Sequence, residues 1–386
     1  MRRPRIATLF GTRPEAIKLA PVIQALGQLG EEQGGPVDLI NVSSGQHSHL
    51  VRPFTEAFGV SIDHDLEVGT PDQSATDIAS AVLARFDALL ARIEPDLVLV
   101  QGDTTTAMSG ALACFHRRVR VGHVEAGLRS GNASSPFPEE MNRRLITQMA
   151  DVHFAATDRN VRTLKAEGVE QDRVILTGNP VVDAVAWATR HTTPGPRVRQ
   201  LLDAVRDRRL IAVTTHRRES FGEVMIARLQ VLSRFVSAHE DVAIVFPVHP
   251  NPNVRRAVDE ALPESDRVHR IEPLGYFDFI HLLSASWLIV SDSGGVQEEA
   301  PTLGKPVLVI RENTERPEAI EAGVARLVGP DAATLEKLLE ECNADPAWIR
   351  SVRAAENPFG APGASDRIAR AACEVARRAA SKRTAG

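Results

Sequence analysis

The sequence is poor in cysteine, in aromatic residues and in long apolar runs, and each shortage excludes a class of protein. Three cysteines in 386 residues provide neither a disulfide framework nor a zinc-ligand spacing. Aromatic residues make up 4% of the chain, too few for a surface that stacks single-stranded nucleic acid. No apolar run approaches the ~20 residues that span a bilayer, and the apolar start is too short for a signal peptide. These features predict a cytoplasmic protein with no membrane segment.

No strong charge of one sign is present either. Forty-five basic residues stand against 50 acidic residues, which gives a net charge of −5. This balance argues against a general nucleic-acid or anionic-membrane binder. At about 150 residues per domain, the length predicts two or three domains.

Two common ligand-binding motifs are missing. The chain contains no G-x-G, and therefore neither the dinucleotide fingerprint nor the Walker A pattern. Asp63 and Asp65 formally match a metal-binding D-x-D, and His47, His49 and His64 lie nearby. A solvated polar loop explains both groups better, because close carboxylates alone do not fix a cation. We predict no metal site.

Short apolar runs rich in β-branched residues alternate with amphipathic helical patterns. Such runs are typical of buried parallel strands, and the alternation predicts an α/β fold. The predicted strands are Arg5–Phe10, Val37–Val42, Leu97–Gln101, Val119–Val124, Val152–Ala155, Val174–Thr177, Leu210–Thr214, Val242–Pro247, Val268–Ile271, Leu288–Ser291 and Val307–Ile310.

The pattern restarts after the Thr-Pro-Gly-Pro segment at Thr193–Pro196. We therefore predict two doubly wound, Rossmann-like domains, at residues 1–190 and 197–363, facing across a cleft. Residues 364–386 predict a helix and tail that pack back towards the first domain. Ligands of such sheets bind at the carboxyl ends of the strands, which places the site in that cleft.

One anion-binding pattern directly follows a predicted strand, in Asp292-Ser293-Gly294-Gly295. Ser293 can cap the next helix, and the two glycines let a ligand approach the backbone closely. Free N–H groups at a helix start suit a diphosphate. Glu299 lies about one and a half turns further along, within reach of a ribose. A capped helix without a ligand is the alternative.

Charged side chains cluster at other strand ends. Arg13 and Lys18 begin the first predicted helix, while His216 and His249 follow strands of the second half. Carboxylates cluster at other strand ends of the first half: Asp103 and Glu125 each follow a predicted strand. Glu139 lies four residues before Arg143, so one helical face can carry both. Several acids on one rim of a sheet, with cations opposite, predict an acid–base site for an anionic ligand.

Together the segments that contain these residues resemble the bacterial non-hydrolysing UDP-N-acetylglucosamine 2-epimerases, which have the two-domain GT-B fold. The matching strings span residues 11 to 319 and are GTRPEAIKLAPV, VQGDTTTAMSGAL, VGHVEAGLRS, PFPEEMNRRL, TTHRRESFG, FPVHPNPNV and VSDSGGVQEEAPTLGKPVLVIRENTERPEA. The resemblance implies reversible conversion of UDP-GlcNAc to UDP-ManNAc by a homodimer, without metal or redox cofactor.

The resemblance also implies roles for individual residues. The diphosphate would be held by Arg13, His216, Ser293 and Gly294, with Gly295 beside them, the ribose by Glu299, and the uracil by Tyr276. The sugar end would be lined by Lys18, Asp103, Glu125, Glu139, Arg143, His249 and Arg316.

The chemistry at C2 favours elimination, because that hydrogen is not adjacent to a carbonyl. A carboxylate would take the C2 proton as UDP leaves C1, and UDP would return as a proton reaches the opposite face. Asp103, Glu125 and Glu139 are the candidates for this proton work, with His216 beside them.

Four other functions fit parts of the pattern. They are a hydrolysing epimerase that releases ManNAc and UDP, an epimerase of a modified UDP-HexNAc in a specialised pathway, a retaining glycosyltransferase, and a non-catalytic UDP-sugar sensor. Sequence changes at residues 46–50, 65–71 and 131–134, relative to the family pattern, keep the modified substrate open. The three acids together favour catalysis over sensing.

Overall fold

A computed structural model of the chain describes residues 3–32, 37–215 and 221–384. The chain divides into two compact units. The first comprises Met1–Ala184 and Phe359–Gly386, and the second comprises Val185–Pro358. The C-terminal segment thus belongs to the first unit.

The first unit is built on a parallel sheet with the strand order β3-β2-β1-β4-β5-β6-β7 over the described residues. Its strands are β1 Arg5–Phe10, β2 Asp38–Ser43, β3 His64–Asp65, β4 Leu97–Gln101, β5 Arg120–Ala126, β6 Val152–Ala155 and β7 Val174–Leu176.

The second unit contains a parallel sheet with the order β10-β9-β8-β11-β12-β13, again over the described residues. Its strands are β8 Arg209–Thr214, β9 Val242–Pro247, β10 Val268–Ile271, β11 Leu288–Ser291, β12 Val307–Val309 and β13 Ala325–Leu327. The predicted α/β class, with two doubly wound parallel sheets, is confirmed.

Helices connect successive strands. The α-helices are α1 Arg13–Glu32, α2 Ser48–Ala57, α3 Ala75–Ile93, α4 Thr105–His116, α5 Glu139–Met149, α6 Asp158–Ala166, α7 Pro180–His191, α8 Pro196–Ala204, α9 Glu223–Ala238, α10 Pro252–Ala261, α11 Tyr276–Ala285, α12 Gly294–Glu299, α13 Pro317–Glu321, α14 Ala332–Ala344, α15 Ala347–Ala354 and α16 Ala364–Thr384. Short 3₁₀ turns occupy Gln171–Arg173 and Ala300–Leu303. The division between the units falls within α7, and α16 packs on α1 and β1 of the first unit.

The strands form because their apolar runs are buried on both faces. All five residues of β4, with the sequence LVLVQ, are buried. Helices cover both faces of a doubly wound sheet, so its strands lose the alternation of apolar and polar residues. The apolar runs are therefore reliable signals of the central strands.

Both sheets have a switch point where the direction of winding reverses. It lies between β1 and β4 in the first unit and between β8 and β11 in the second. Loops that leave neighbouring strands at a switch point diverge and leave a crevice at the carboxyl ends. The predicted ligand-binding loops after β1, β4 and β11 begin at these points.

Candidate active site

Glu125 lies at the centre of a polar cluster in the first unit. Its carboxylate forms an ion pair with Lys18 Nζ and accepts a hydrogen bond from Gln101 Nε2. Asn179 Nδ2 donates a third hydrogen bond, 3.2 Å from Glu125 Oε1. A cation and two amides therefore fix this carboxylate in one orientation. Gln101 and Asn179 were not among the predicted site residues, although both follow or end a strand as the predicted ones do.

The backbone at Glu125 is also unusual. Glu125 has φ of 66°, in the left-handed region, and the β5–β6 register shifts between Val124 and Ala126. The predicted strand ended at Val124, whereas β5 continues through this bulge to Ala126. A bulge redirects the side chain of a strand residue, and backbone strain of this kind persists where the surroundings enforce it. The bulge thus sets the direction of the Glu125 carboxylate.

Asp103 forms a second ion pair nearby, just after β4. Arg143 Nη2 lies 2.6 Å from Asp103 Oδ2, and the neighbouring Asn142 donates to the Asp103 carbonyl at 2.9 Å. Arg143 also lies 3.3 Å from Oε2 of the fully buried Glu140. The arginine therefore bridges two carboxylates, and α5 fixes the position of Asp103.

Glu140 anchors this arrangement. Burial by itself raises the pKa of Glu140, but the hydrogen bond from the Ser130 N–H and the charges of Arg144, Arg143 and Arg129 lower it overall. The Ser130 bond is 2.8 Å long and ties the loop after β5 to α5. Glu140 was not predicted as a site residue, because its neighbour Glu139 was predicted instead. Burial, which sequence does not reveal, distinguishes the two.

The other predicted residues of the first unit lie around these pairs. Glu139 opens α5, one turn before Arg143, and Arg13 opens α1 with an exposed side chain. Glu15 lies in the first turn of α1 and was not predicted. Its Oε2 accepts from Gly11 N and Thr12 N at 3.0 and 2.8 Å. Burial raises the pKa of Glu15 to about 7, although its hydrogen bonds oppose the rise.

Two buried histidines stand behind the site on neighbouring strands. His123 on β5 pairs in register with His153 on β6. His123 Nε2 lies 2.7 Å from the Gly102 carbonyl, which can only accept, so this nitrogen carries the proton. Burial lowers the pKa of His123 to about 3. His123 is therefore a neutral donor that supports the loop between Gln101 and Asp103.

In the second unit, α12 begins directly beside an arginine. Arg316 Nε lies 2.7 Å from Glu298 Oε1, and Nη1 lies 2.8 Å from Glu315 Oε2. A Cβ atom at Gly294 would stand 2.8 Å from Arg316 Nη1, so a side chain there would displace the guanidinium. Arg316, expected at the sugar end, thus lies with the residues expected at the diphosphate.

Ser293 occupies the N-cap position of α12, but its side chain makes no capping hydrogen bond. The expected serine cap is therefore not formed. Gly295 follows in the first turn, and Glu299 ends the helix with its side chain largely buried. Behind this loop, Thr215 Oγ1 donates to Asp292 Oδ2 at 2.8 Å, which joins the ends of β8 and β11.

The remaining predicted residues of the second unit are placed separately. Tyr276 is buried and begins α11. His249 is exposed after β9, and its Nδ1 accepts from Asn251 N at 3.2 Å. His216 lies outside the described residues.

The D-x-D segment has a backbone role. Asp63 Oδ2 accepts from Asn41 N at 2.7 Å, and Asp65 Oδ1 accepts from Glu67 N at 2.9 Å. Across the part of the chain that the structure describes, no group of three or more His, Cys, Asp or Glu side chains is arranged to hold a metal ion. Nor does any helix in those residues have the length and apolar character to cross a membrane.

Comparison with known proteins gives one consistent family. The family model described as UDP-N-acetylglucosamine 2-epimerase matches residues 31–372. The UDP-N-acetylglucosamine 2-epimerase of Bacillus subtilis is 43% identical over 368 residues, covering 95% of this chain and 94% of that protein. The Escherichia coli K12 protein of the same name is 41% identical over 370 residues, with coverage of 94% and 97%.

Solved structures give the same result. The Neisseria meningitidis UDP-GlcNAc 2-epimerase, crystallised with UDP-GlcNAc, superimposes with a TM-score of 0.86 at 37% identity. The match covers 96% of this chain and all of that one (100%). The two α/β units therefore have the GT-B fold of these enzymes.

Proposed function

Because the chain belongs to the UDP-N-acetylglucosamine 2-epimerase family, we propose that it interconverts UDP-GlcNAc and UDP-ManNAc without hydrolysing them. The observation that best supports this activity is the pair of fixed carboxylates at neighbouring strand ends. Asp103 is paired with Arg143, and Glu125 with Lys18. Inversion at one carbon requires a proton to leave one face and another to arrive at the opposite face. Two carboxylates held by different partners meet that requirement.

The proposed route is elimination followed by re-addition. One carboxylate removes the C2 proton while the C1–O bond to UDP breaks, which gives 2-acetamidoglucal and UDP. The C1–O bond then re-forms as a proton is delivered to the other face of C2. Asp103, Glu125 and Glu139 are assigned to the removal and delivery of the C2 proton. No atom is oxidised or reduced overall, so the reaction needs no hydride carrier.

Cations beside the carboxylates serve the sugar end in this proposal. Lys18 and Arg143 are buried, and each contacts one of the acids directly. Charged groups fixed in a site of low polarity stabilise developing charge more strongly than they do in water. In this proposal Lys18 and Arg143 orient the acids and also the UDP oxygen that leaves C1. His249 is assigned to the same end of the substrate.

The nucleotide is assigned chiefly to the second unit. Ser293, Gly294 and Gly295 offer a serine hydroxyl and backbone N–H groups at the start of α12, beside the Arg316 guanidinium. Such groups suit a diphosphate. The further assignments are Arg13 and His216 to the diphosphate, Glu299 to the ribose and Tyr276 to the uracil.

The proposal includes a homodimer in the cytoplasm. Three exposed apolar residues, Phe137, Met141 and Leu145, lie four residues apart on and just before α5, and we call them the α5 row. Met141 and Leu145 share one face of α5 because side chains four apart lie on the same side of a helix, and Phe137 lies in the turn that precedes it. An exposed apolar face of this kind is typical of a surface that is covered by a partner. The three cysteines are buried and free, as expected in a reducing compartment.

Proton NMR in heavy water tests the reaction. Purified protein is incubated with UDP-GlcNAc and no added cofactor. UDP-ManNAc should appear, and deuterium should enter C2 of both sugars because elimination is reversible. Release of free ManNAc with UDP would instead assign the protein to the hydrolysing class. Binding measured by calorimetry without any turnover would contradict the proposal and favour a sensor or a modified substrate.

A further inference from the structure

Glu15 is a buried carboxylate to which the proposed chemistry gives no role. Its side chain is completely shielded from solvent. Four donors nevertheless surround it: Gly11 N at 3.0 Å, Thr12 N at 2.8 Å, Thr12 Oγ1 at 2.8 Å and Thr104 Oγ1 at 2.7 Å. An ionised carboxylate has about four acceptor positions, so it satisfies this set. An amide has one acceptor oxygen, which can still face the α1 turn, but its NH2 group then faces Thr104 and reverses the direction of that bond.

The two oxygens of Glu15 have different partners. Oε2 accepts the bonds from Gly11 and Thr12, which belong to the turn that opens α1. Oε1 accepts from Thr104, which is 89 residues away in the sequence. Thr104 is the N-cap of α4, and its hydroxyl in turn accepts from Ala107 N at 3.0 Å. Glu15 therefore joins the beginnings of two helices.

These helices begin on either side of the β1–β4 switch point. Arg13 directly follows Thr12, and Asp103 directly precedes Thr104. The Glu15–Thr104 bond therefore sets the distance between the loop that carries Arg13 and the loop that carries Asp103. In a site where a misplacement of about 1 Å can reduce the rate ~10²-fold, this distance matters for turnover.

Helix capping alone does not account for this geometry. The capping box of α3 shows what capping requires in this protein: Asp77 accepts from Ser74 N and Ser74 Oγ at 3.0 and 2.7 Å. That box is exposed and involves a single turn. Glu15 is buried and extends to a second loop, which gives it a partner that a cap does not need.

We propose that Glu15 is a positioning residue that holds the Arg13 loop and the Asp103 loop at a fixed separation for catalysis. The inference rests on the proposed epimerisation. Glu15 itself does not touch the substrate in this proposal and acts through the two loops. The hydrogen bond between the Glu15 carboxylate and the Thr104 hydroxyl connects the two loops.

Four variants test this role. E15Q removes the negative charge and one of the two acceptor oxygens. T104V leaves Glu15 and its bonds to the α1 turn in place and removes the long-range bond together with the N-cap bond of α4. T104S restores a hydroxyl at the same position. D77N is the matched control, because it makes the same carboxylate-to-amide change in a capping box that has no second loop. Steady-state rates with UDP-GlcNAc, UDP affinity by calorimetry and thermal unfolding are measured for each.

We expect kcat of E15Q and T104V to fall at least about tenfold, with a smaller change in KM, at a temperature where every variant is folded. T104S and D77N should keep the wild-type kcat, although D77N loses part of a cap. A wild-type kcat in T104V, or an equal loss in D77N, would overturn the role of Glu15.

The test also works if E15Q does not fold or if the wild-type protein has no epimerase activity. If E15Q does not fold, the comparison of T104V with T104S still tests the link. If the wild-type protein does not turn over UDP-GlcNAc, the proposed function fails, and UDP affinity then tests Glu15 through Arg13. We expect E15Q to bind UDP several-fold more weakly than D77N does, and equal affinities would overturn the inference.

Discussion

At the residue scale, the two central acids differ in how completely they are enclosed. The Glu125 side chain is 9% exposed and has donors on α1, on β4 and in the loop before α7, whereas the Asp103 side chain is 24% exposed beside Arg143. A carboxylate that must exchange protons with a sugar has to be reachable by it. The Asp103 carboxylate is exposed enough to be reached. Its substitution is therefore the most direct test of which residue exchanges protons with C2.

Replacement of Asp103 by asparagine should reduce turnover by at least ~10², because the amide cannot act as a base. The rate is measured from UDP-ManNAc formation and from deuterium entry at C2. Asp87→Asn is the control, since Asp87 also holds an arginine, Arg117, at 2.6 Å but does so on the surface. We expect the control to have the wild-type rate. Near-normal turnover in the Asp103 variant would remove that residue from the proton work.

His153 provides a prediction about stability and pH. Neither of its ring nitrogens has a hydrogen-bond partner among the described residues, and burial lowers its pKa from 6.5 to about 4. Between those pH values the unfolded chain binds more protons than the folded one, so this residue makes stability fall as pH decreases from 6.5 towards 4. His153→Leu should remove that slope and raise the free energy of unfolding at pH 7 by about 1–3 kcal/mol.

Urea unfolding between pH 4 and 7.5 measures both effects. His116→Leu, an exposed position at the end of α4, is the control and should leave the slope unchanged. A His153→Leu variant that is less stable than the wild type at neutral pH would show that the imidazole has a favourable partner.

At the element scale, the predicted strands illustrate what a single sequence can reveal. Buried runs such as Leu97–Gln101 and Val242–Pro247 match β4 and β9 residue for residue, because strands covered on both faces are continuously apolar. Two strands were missed, β3 at His64–Asp65 and β13 at Ala325–Leu327. They are short edge strands whose pairing depends on the neighbouring strand rather than on a run of their own.

The site likewise combines residues that the sequence predicts with contacts that only the fold reveals. Asp103 and Arg143 were predicted from strand-end position and helical spacing, but their direct pairing joins residues 40 positions apart and needs the fold. Glu15 and Glu140 were missed because acidic residues in a first helical turn are usually exposed. Only the packing of α1 and α5 shows that these two carboxylates are buried.

Packing of α4 on β1 gives an element-scale prediction. A Cβ atom at Gly110 of α4 would lie 2.2 Å from Leu9 Cδ2, so Gly110→Ala requires the fully buried Leu9 side chain to move within a packed core. We expect a loss of about 1–3 kcal/mol in the free energy of unfolding, and reduced turnover because α4 carries Thr104 at its start.

Gly27→Ala is the matched control for this change. It lies in α1, and a Cβ atom there meets nothing within 4 Å. Alanine is favoured over glycine in a helix by roughly 0.5–1 kcal/mol, so this variant should be slightly more stable. Denaturant unfolding of both variants checks the pair, and equal stabilities would show that α4 adjusts without cost.

At the scale of the whole molecule, the two units repeat one structural solution. In each unit a hydroxyl–carboxylate hydrogen bond joins the segments that follow its two central strands; it is partly buried in the first unit and buried in the second. In the first unit Thr104 donates to Glu15 at 2.7 Å, and in the second Thr215 donates to Asp292 at 2.8 Å. Loops that diverge at a switch point make few backbone contacts with each other. A side-chain bond supplies the missing constraint without filling the crevice where a ligand binds.

Assembly is tested through the α5 row. Phe137, Met141 and Leu145 are 76%, 38% and 44% exposed, and a stable dimer must cover such a surface. A charge in a fully covered apolar interface is costly because it loses water without gaining a partner. Leu145→Glu should therefore convert a dimer into a monomer at micromolar concentration, as measured by light scattering after gel filtration.

Leu176→Glu is the matched control, because Leu176 is 47% exposed but lies on β7 rather than on α5. The same charge there should leave the proposed dimer intact. A dimer that persists in the Leu145 variant and dissociates in the Leu176 variant would move the interface from α5 to the edge of the sheet. If instead Leu145→Glu yields a folded monomer, its turnover decides whether one chain suffices, since Leu145 lies on the same helix as Glu139 and Arg143. A monomer with wild-type kcat would show that the positions of Glu139 and Arg143 are set within one chain. A fall in kcat without unfolding would show that the partner helps to hold α5 in place.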